Sequence, residues 1–187
     1  LIKNKEDYRF FLCADLASLN KKKFERHHKY SHPILQFQRN LRRIEYYQNC
    51  RKDVTSQLYL KILKLRFIKE SVHLGFTIPP NVFDAGLSIA HYGSIVVNGN
   101  AKVGKNCRIH SAVNIAGSAR IGDNVYIGPG VKIFGDVIIG DNVTIGANSV
   151  VNKDVPDNVT VAGVPAKIIK DYPTVSIIDG YAVASRN

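Results

Sequence analysis

One histidine stands where the spacing of the chain calls for an aliphatic residue. From Val97 onward an aliphatic side chain recurs every sixth position, at Val103, Ile109, Ile115, Ile121, Ile127, Ile133, Ile139, Ile145 and Val151. Six residues before Val97 comes His91, in the run Ile89-Ala90-His91-Tyr92-Gly93-Ser94-Ile95. A break in a strict local rule is where function is expected. Imidazole, with an unperturbed pKa of ~6.5, takes up a proton near neutral pH without being permanently charged, so His91 suits a general base. The bland alternative is a structural histidine satisfied within the fold. His27 and His28 are adjacent, point to different faces of any helix, and read as solvated rather than as a metal pair. Cys13, Cys50 and Cys107 have neither metal-ligand nor redox spacing and read as reduced cytoplasmic thiols.

The elements that must position His91 follow from the same spacing. A period of six fits neither a helix at 3.6 nor a half-buried strand at 2. It is a solenoid period, in which each short strand ends in a turn and three units make one triangular coil. Four residues after each aliphatic position comes a small or β-branched one, from Ala101, Cys107 and Val113 to Val155. Turns such as Gly122-Asp123-Asn124 and Gly140-Asp141-Asn142 bend the chain. Each rung is too narrow to bury a core alone, so stability comes from stacking.

Residues 1–74 read as a helical region. Asn4 caps a helix over Lys5 to Leu19, and Lys21 to Tyr30 is a basic loop. Ser31 caps a second helix with Pro33 in its first turn. Asp53 or Thr55 caps a third, carrying Leu58, Leu60, Ile62, Leu63, Leu65 and Ile68 and stopping near Gly75. The solenoid domain spans residues 75–170, beginning irregularly after Pro79 and Pro80. An extension, residues 171–187, is apolar enough to pack on something.

Composition narrows the partners. The formal charge of +11 over 187 residues is concentrated up to Leu74, where 17 basic residues face 7 acidic ones. No nucleic-acid-binding motif accompanies them, and a solvated helical face is the plain reading. Attraction to an acidic polysaccharide or an anionic membrane surface is the functional alternative. No apolar run reaches the length of a membrane span and no signal peptide opens the chain, so a cytoplasmic protein is expected.

The hexads resemble the left-handed parallel β-helix of hexapeptide-repeat acyltransferases, and Leu74 to Lys170 looks most like the serine acetyltransferase branch, whose relatives O-acetylate capsular polysaccharides. The resemblance implies a mainly β fold with that hand, preceded by the helical region. It implies acetyl-CoA as cosubstrate, no metal, and a homotrimer with active sites between subunits. His91 matches the family's catalytic base. Asn114-Ile115-Ala116-Gly117-Ser118 matches its glycine-rich turn, making Gly117 the candidate oxyanion donor; an ordinary corner glycine is the alternative. The runs Gly146 to Pro156 and Ala162 to Lys167 match the closing signature. There the pantetheine arm passes Gly117 and Ala147, the adenine rests on Val164 and Pro165, and Lys153 and Lys167 approach the phosphates.

The match fails where the family binds serine. The aspartate expected fifteen residues before the base is Phe76, the acid just before it is Ala90, and the arginine-histidine pair after the glycine-rich turn has no counterpart. Free serine needs opposite charges for its ammonium and carboxylate, so the expected acceptor is a saccharide or polysaccharide hydroxyl, with Tyr92 helping to hold it. Asp84 or His110 is expected to orient His91. The runner-up is serine O-acetylation. A metal-dependent carbonic anhydrase on this fold rests only on His91 and His110, and a non-catalytic scaffold is the rival outside enzymes.

Overall fold

The computed structural model describes residues 1–25, 27–178 and 181–184. Four helices open the chain. Helix α1 (Lys5–Ser18) is capped by Asn4, whose side chain accepts from the Asp7 amide at 2.8 Å. The expected basic loop contains a one-turn helix, α2 (His28–Ser31). Helix α3 (Pro33–Cys50) therefore starts from His32 rather than Ser31, and makes no side-chain cap. Helix α4 (Val54–Leu74) is capped by Asp53 and stopped by Gly75, whose φ of 75° is left-handed.

The solenoid stacks three sheets. The first contains β1 (Phe76–Thr77), β3 (Ile95–Val97), β6 (Asn114–Ile115), β9 (Lys132–Ile133) and β12 (Val150–Val151). The second contains β4 (Lys102–Val103), β7 (Arg120–Ile121) and β10 (Ile138–Ile139). The third contains β2 (Ser88–Ile89), β5 (Arg108–Ile109), β8 (Tyr126–Ile127), β11 (Thr144–Ile145) and β13 (Thr160–Ala162). All these strands pair parallel, and β14 (Lys167–Lys170) closes the third sheet antiparallel to β13.

Both periodic columns point inward: Ile109, Ile115 and Ile127 are buried, and so are Ala101, Cys107, Val113 and Val125. Corners between the second and third sheets carry asparagines at positive φ, where that side chain is tolerated. Asn106, Asn124, Asn142 and Asn158 pass side-chain amide hydrogen bonds from coil to coil at 3.0, 3.1 and 2.9 Å. Beside them Asp123, Asp141 and Asp157 accept from amides one coil below, at 2.7, 2.6 and 2.8 Å. Regular turn chemistry, repeated, holds the rungs in register.

The core continues from the solenoid into the helices through Phe76, which packs against Phe37 of α3, itself stacked on Phe67 of α4. A buried polar cluster makes the second join. Arg42 is fully buried and forks onto Asp15 at 2.7 and 3.2 Å, while bonding Glu45 at 3.0 Å and the carbonyls of Phe83 and Asp84 at 2.8 and 2.7 Å. Asp15 in turn accepts from the amides of Gly86 and Leu87 at 2.9 and 3.0 Å, and Gln38 bonds the Leu87 carbonyl. Helices α1 and α3 are thus bolted to the chain just ahead of His91.

The extension packs as expected. A hairpin of β15 (Val175–Ile178) and β16 (Tyr181–Ala184) lies against the third sheet, and Val175 exchanges hydrogen bonds of 3.0 Å with the Thr144 hydroxyl. Residues 179, 180 and 185–187 of that extension, and Arg26 of the basic loop, lie outside the described residues.

Candidate active site

The register of the first complete coil corrects the place of His91. Ile89, not His91, fills the buried column, since Ile89 pairs with Ile109. Ser88 and Arg108 stack across 20 residues, whereas Ile109 and Ile127 stack across eighteen. Two extra residues are taken up at the corner before β3, where Gly93 sits at φ 127°. His91 belongs to that lengthened corner and is exposed, as is Tyr92 at 69%. Counting back by six singles out His91 only by assuming a period that the corner breaks.

Corners between the third and first sheets stack into one ledge. His91 is at its foot and His110 begins the next corner; Gly128 to Gly130, then Gly146 to Asn148, then Gly163 follow above. His91 and Ala147 are three coils apart, about 14 Å at ~4.8 Å per coil. Small residues keep the ledge low. A Cβ at Gly128 would meet the Ile145 carbonyl oxygen at 2.8 Å and the Ala147 amide at 2.9 Å. Above, the exposed Val164 and Pro165 form a cis turn, and Lys167 follows on β14.

The His91 ring lies 5.9 Å from that of His110, which lies 5.1 Å from that of Tyr126. His110 Nε2 is buried without a hydrogen-bond partner among the described residues. Burial, then the nearby charges of Arg108 and His91, lower the His110 pKa to about 4, so it is a neutral ring at physiological pH. Sequence reading missed Tyr126; its signal is an aromatic at an outward place on the rung, one residue before Ile127.

Other expected site residues are placed elsewhere. Asp84 does not orient His91 within this subunit: its amide bonds the Val103 carbonyl of the second sheet, and its carboxylate accepts from Ala85 at 2.7 Å. The stack of the first coil turns the two residues to different faces. Gly117 and Lys153 lie on the corner between the first and second sheets, one strand away from the ledge. Gly117 has φ 78°, and a Cβ there would meet the Gly135 carbonyl oxygen at 2.6 Å, so coil stacking alone already demands glycine. Cys107 is buried with its thiol pushed up to about 12 by burial, which makes it inert as a nucleophile.

Beside the foot of the ledge is a cavity of about 240 Å³, bounded by Lys21, Ser31 and His32 on the helical side and by Ile89, Ala90 and Tyr92 on the coil. Among the described residues no carboxylate lines it. His27 and His28 do not diverge as expected: their rings are 4.4 Å apart, with Glu25 beside them, because His27 precedes the one-turn helix. His28 Nδ1 is already the acceptor of the Glu25 amide at 3.0 Å.

With this geometry in hand, the likenesses are specific. The family model for bacterial transferase hexapeptides (six repeats) matches residues 100–135 and 118–153. The serine acetyltransferase of Brucella abortus strain S19 is 27% identical over 90% of this chain and 71% of its own, with a TM-score of 0.72. In complex with coenzyme A the match to the same enzyme is 29%, over 90% and 70%, with a TM-score of 0.69. The serine acetyltransferase of Neisseria gonorrhoeae is 30% identical over 88% of this chain and 66% of its own, with a TM-score of 0.65. Among curated proteins, none matches.

Proposed function

We propose, from the premise that this chain is a hexapeptide-repeat acyltransferase of serine acetyltransferase-like build, that it transfers acetyl from acetyl-CoA to a hydroxyl with His91 as the base. One observation carries the reading: an exposed histidine at the foot of a low glycine-lined ledge that leads to Ala147, Val164 and Pro165. In the proposed step His91 takes the proton of the acceptor hydroxyl as its oxygen attacks the thioester carbonyl. The tetrahedral intermediate expels the CoA thiolate, which recovers the proton from His91, leaving an O-acetyl ester and free CoA thiol. Such a base contributes roughly 10²- to 10⁴-fold. His110 lies beside the ring, with Tyr126 behind His110.

Gly117 and Lys153 reach this chemistry only if a second copy presents its neighbouring corner to the ledge. The proposal therefore includes a symmetric trimer with sites between subunits. Acetyl-CoA would then lie along the ledge of one copy, with Lys167 from that copy and Lys153 from the next near its phosphates.

For the acceptor, likeness to serine acetyltransferases favours L-serine over the saccharide expected from the missing charged residues. A saccharide hydroxyl stays as a second reading because of one specific observation. Among the described residues the cavity beside Tyr92 offers Lys21 and His32 but no carboxylate to hold an ammonium, and Phe76 is buried in the core. The deciding measurement is CoA thiol release from acetyl-CoA with L-serine, with neutral polysaccharide and with acidic polysaccharide, each repeated with His91→Ala. Turnover on serine that the variant loses supports the first reading. Turnover on polysaccharide alone supports the second, and turnover indifferent to His91 refutes both.

A further inference from the structure

Helix α4 is apolar on two sides, and only one of them is used. Leu60, Leu63, Phe67 and Leu74 are buried against the body of the protein. Val54, Leu58, Ile62, Leu65, Ile68 and Val72 are exposed at between 43% and 85%. At 100° per residue these six fall within an arc of about 120°, a stripe about 27 Å long at 1.5 Å per residue. Solvation does not explain such a face, because a water-facing helix has no use for six large aliphatic residues in line.

The charges on the helix say what covers it. Lys61 and Lys69 project from within the apolar arc, Lys64 and Arg66 border it, and all four are exposed. The sole acid of the helix, Glu70, is turned inward, where it takes two hydrogen bonds of 2.8 Å from Asn40 of α3. A protein partner packing on this arc would have to bury Lys61 and Lys69, which costs heavily without paired acids. A second copy of α4 cannot supply them, since it would bring cations against cations. A bilayer surface meets both demands: the aliphatic side chains enter the boundary between headgroups and acyl chains, and the lysines extend to the phosphates.

We propose that α4 is an in-plane docking helix for a membrane surface rich in anionic lipid. The helix lies flat and spans nothing, in keeping with the finding that no described helix is long and apolar enough to cross a membrane. The attraction is the sum of a screened electrostatic part from four cations and an apolar part from six side chains, so neither alone gives firm binding. This reading is independent of the acceptor and of the chemistry at His91.

The test is co-sedimentation of the full chain with large unilamellar vesicles of phosphatidylcholine alone or with about one third phosphatidylglycerol, at low and high salt, with light scattering of the protein alone. The expected result is binding at least about tenfold tighter to the anionic vesicles, weakened by salt as screening of exposed charges requires. Leu58→Asp with Leu65→Asp, and separately Lys61→Glu with Lys69→Glu, should each lower it by about tenfold or more. Their circular dichroism and melting should remain close to those of the parent, since these side chains are largely exposed and outside the buried core. Absence of binding, or equal binding to neutral vesicles, overturns the proposal. Loss of a larger assembly in the leucine variants would instead assign the face to a second copy and overturn it too.

Discussion

Replacing Arg42 by alanine should loosen the seat of the candidate active site from a distance. The guanidinium has no exposure to water and makes five polar contacts: two with Asp15, one with Glu45 and two with the carbonyls of Phe83 and Asp84. Burial opposes its charge, and the Asp15 and Glu45 carboxylates more than offset this, so its pKa is raised. Alanine would leave two carboxylates and two carbonyls buried without the cation. Breaking a buried pair in this way costs about 3–5 kcal/mol. For a chain of this size 1 kcal/mol shifts the melting temperature by roughly 2–4 °C, so a fall of roughly 6–20 °C is expected. Arg42→Lys keeps the charge but not the fork, and should fall between the parent and alanine. Circular dichroism melting at neutral pH measures all three. An Arg42→Ala protein melting within about 2 °C of the parent would refute the argument that this cluster joins helices to solenoid.

Two further outcomes can be checked on the same instrument. Gly128→Ala drives a Cβ to within 2.8 Å of the Ile145 carbonyl oxygen, a backbone atom that cannot swing away, and should cost about 1–3 kcal/mol of stability; an unchanged urea midpoint would show that the ledge can spread. The pKa of His110 is depressed to about 4, so the unfolded chain binds a proton that the native state refuses. The stability this represents is complete above about pH 6.5 and is lost as pH falls toward 4. Urea midpoints for the parent should therefore drop between pH 7 and pH 5 by more than those of His110→Asn. Equal drops would mean that the ring is more open to water than its position between His91 and Tyr126 implies.

The repeat, the helices and the chemistry of the turns were legible in the sequence because each is a local rule. A six-residue spacing can be satisfied only by stacked rungs, Asn4, Asp53 and Gly75 cap helices through neighbours within a few residues, and asparagine suits a left-handed corner wherever it occurs. His91 was legible as an irregularity, although for a reason that the fold amends: the corner, not the core column, holds it. What the tertiary structure decided concerns groups far apart in the chain. The hexads put Gly117 and Lys153 on one corner, two coils apart, and Ala147 on another, but spacing defines position along a coil and not which edges of separate copies meet. Nor do the hexads turn Asp84 away from His91, since that depends on how the irregular first coil is wound. In α4 the sequence shows aliphatic residues all around, and the direction in which the other helices pack leaves one side bare. The reason is common to all three: local patterns specify each element and its faces, and the choice of which face meets which is made by packing over long sequence separations.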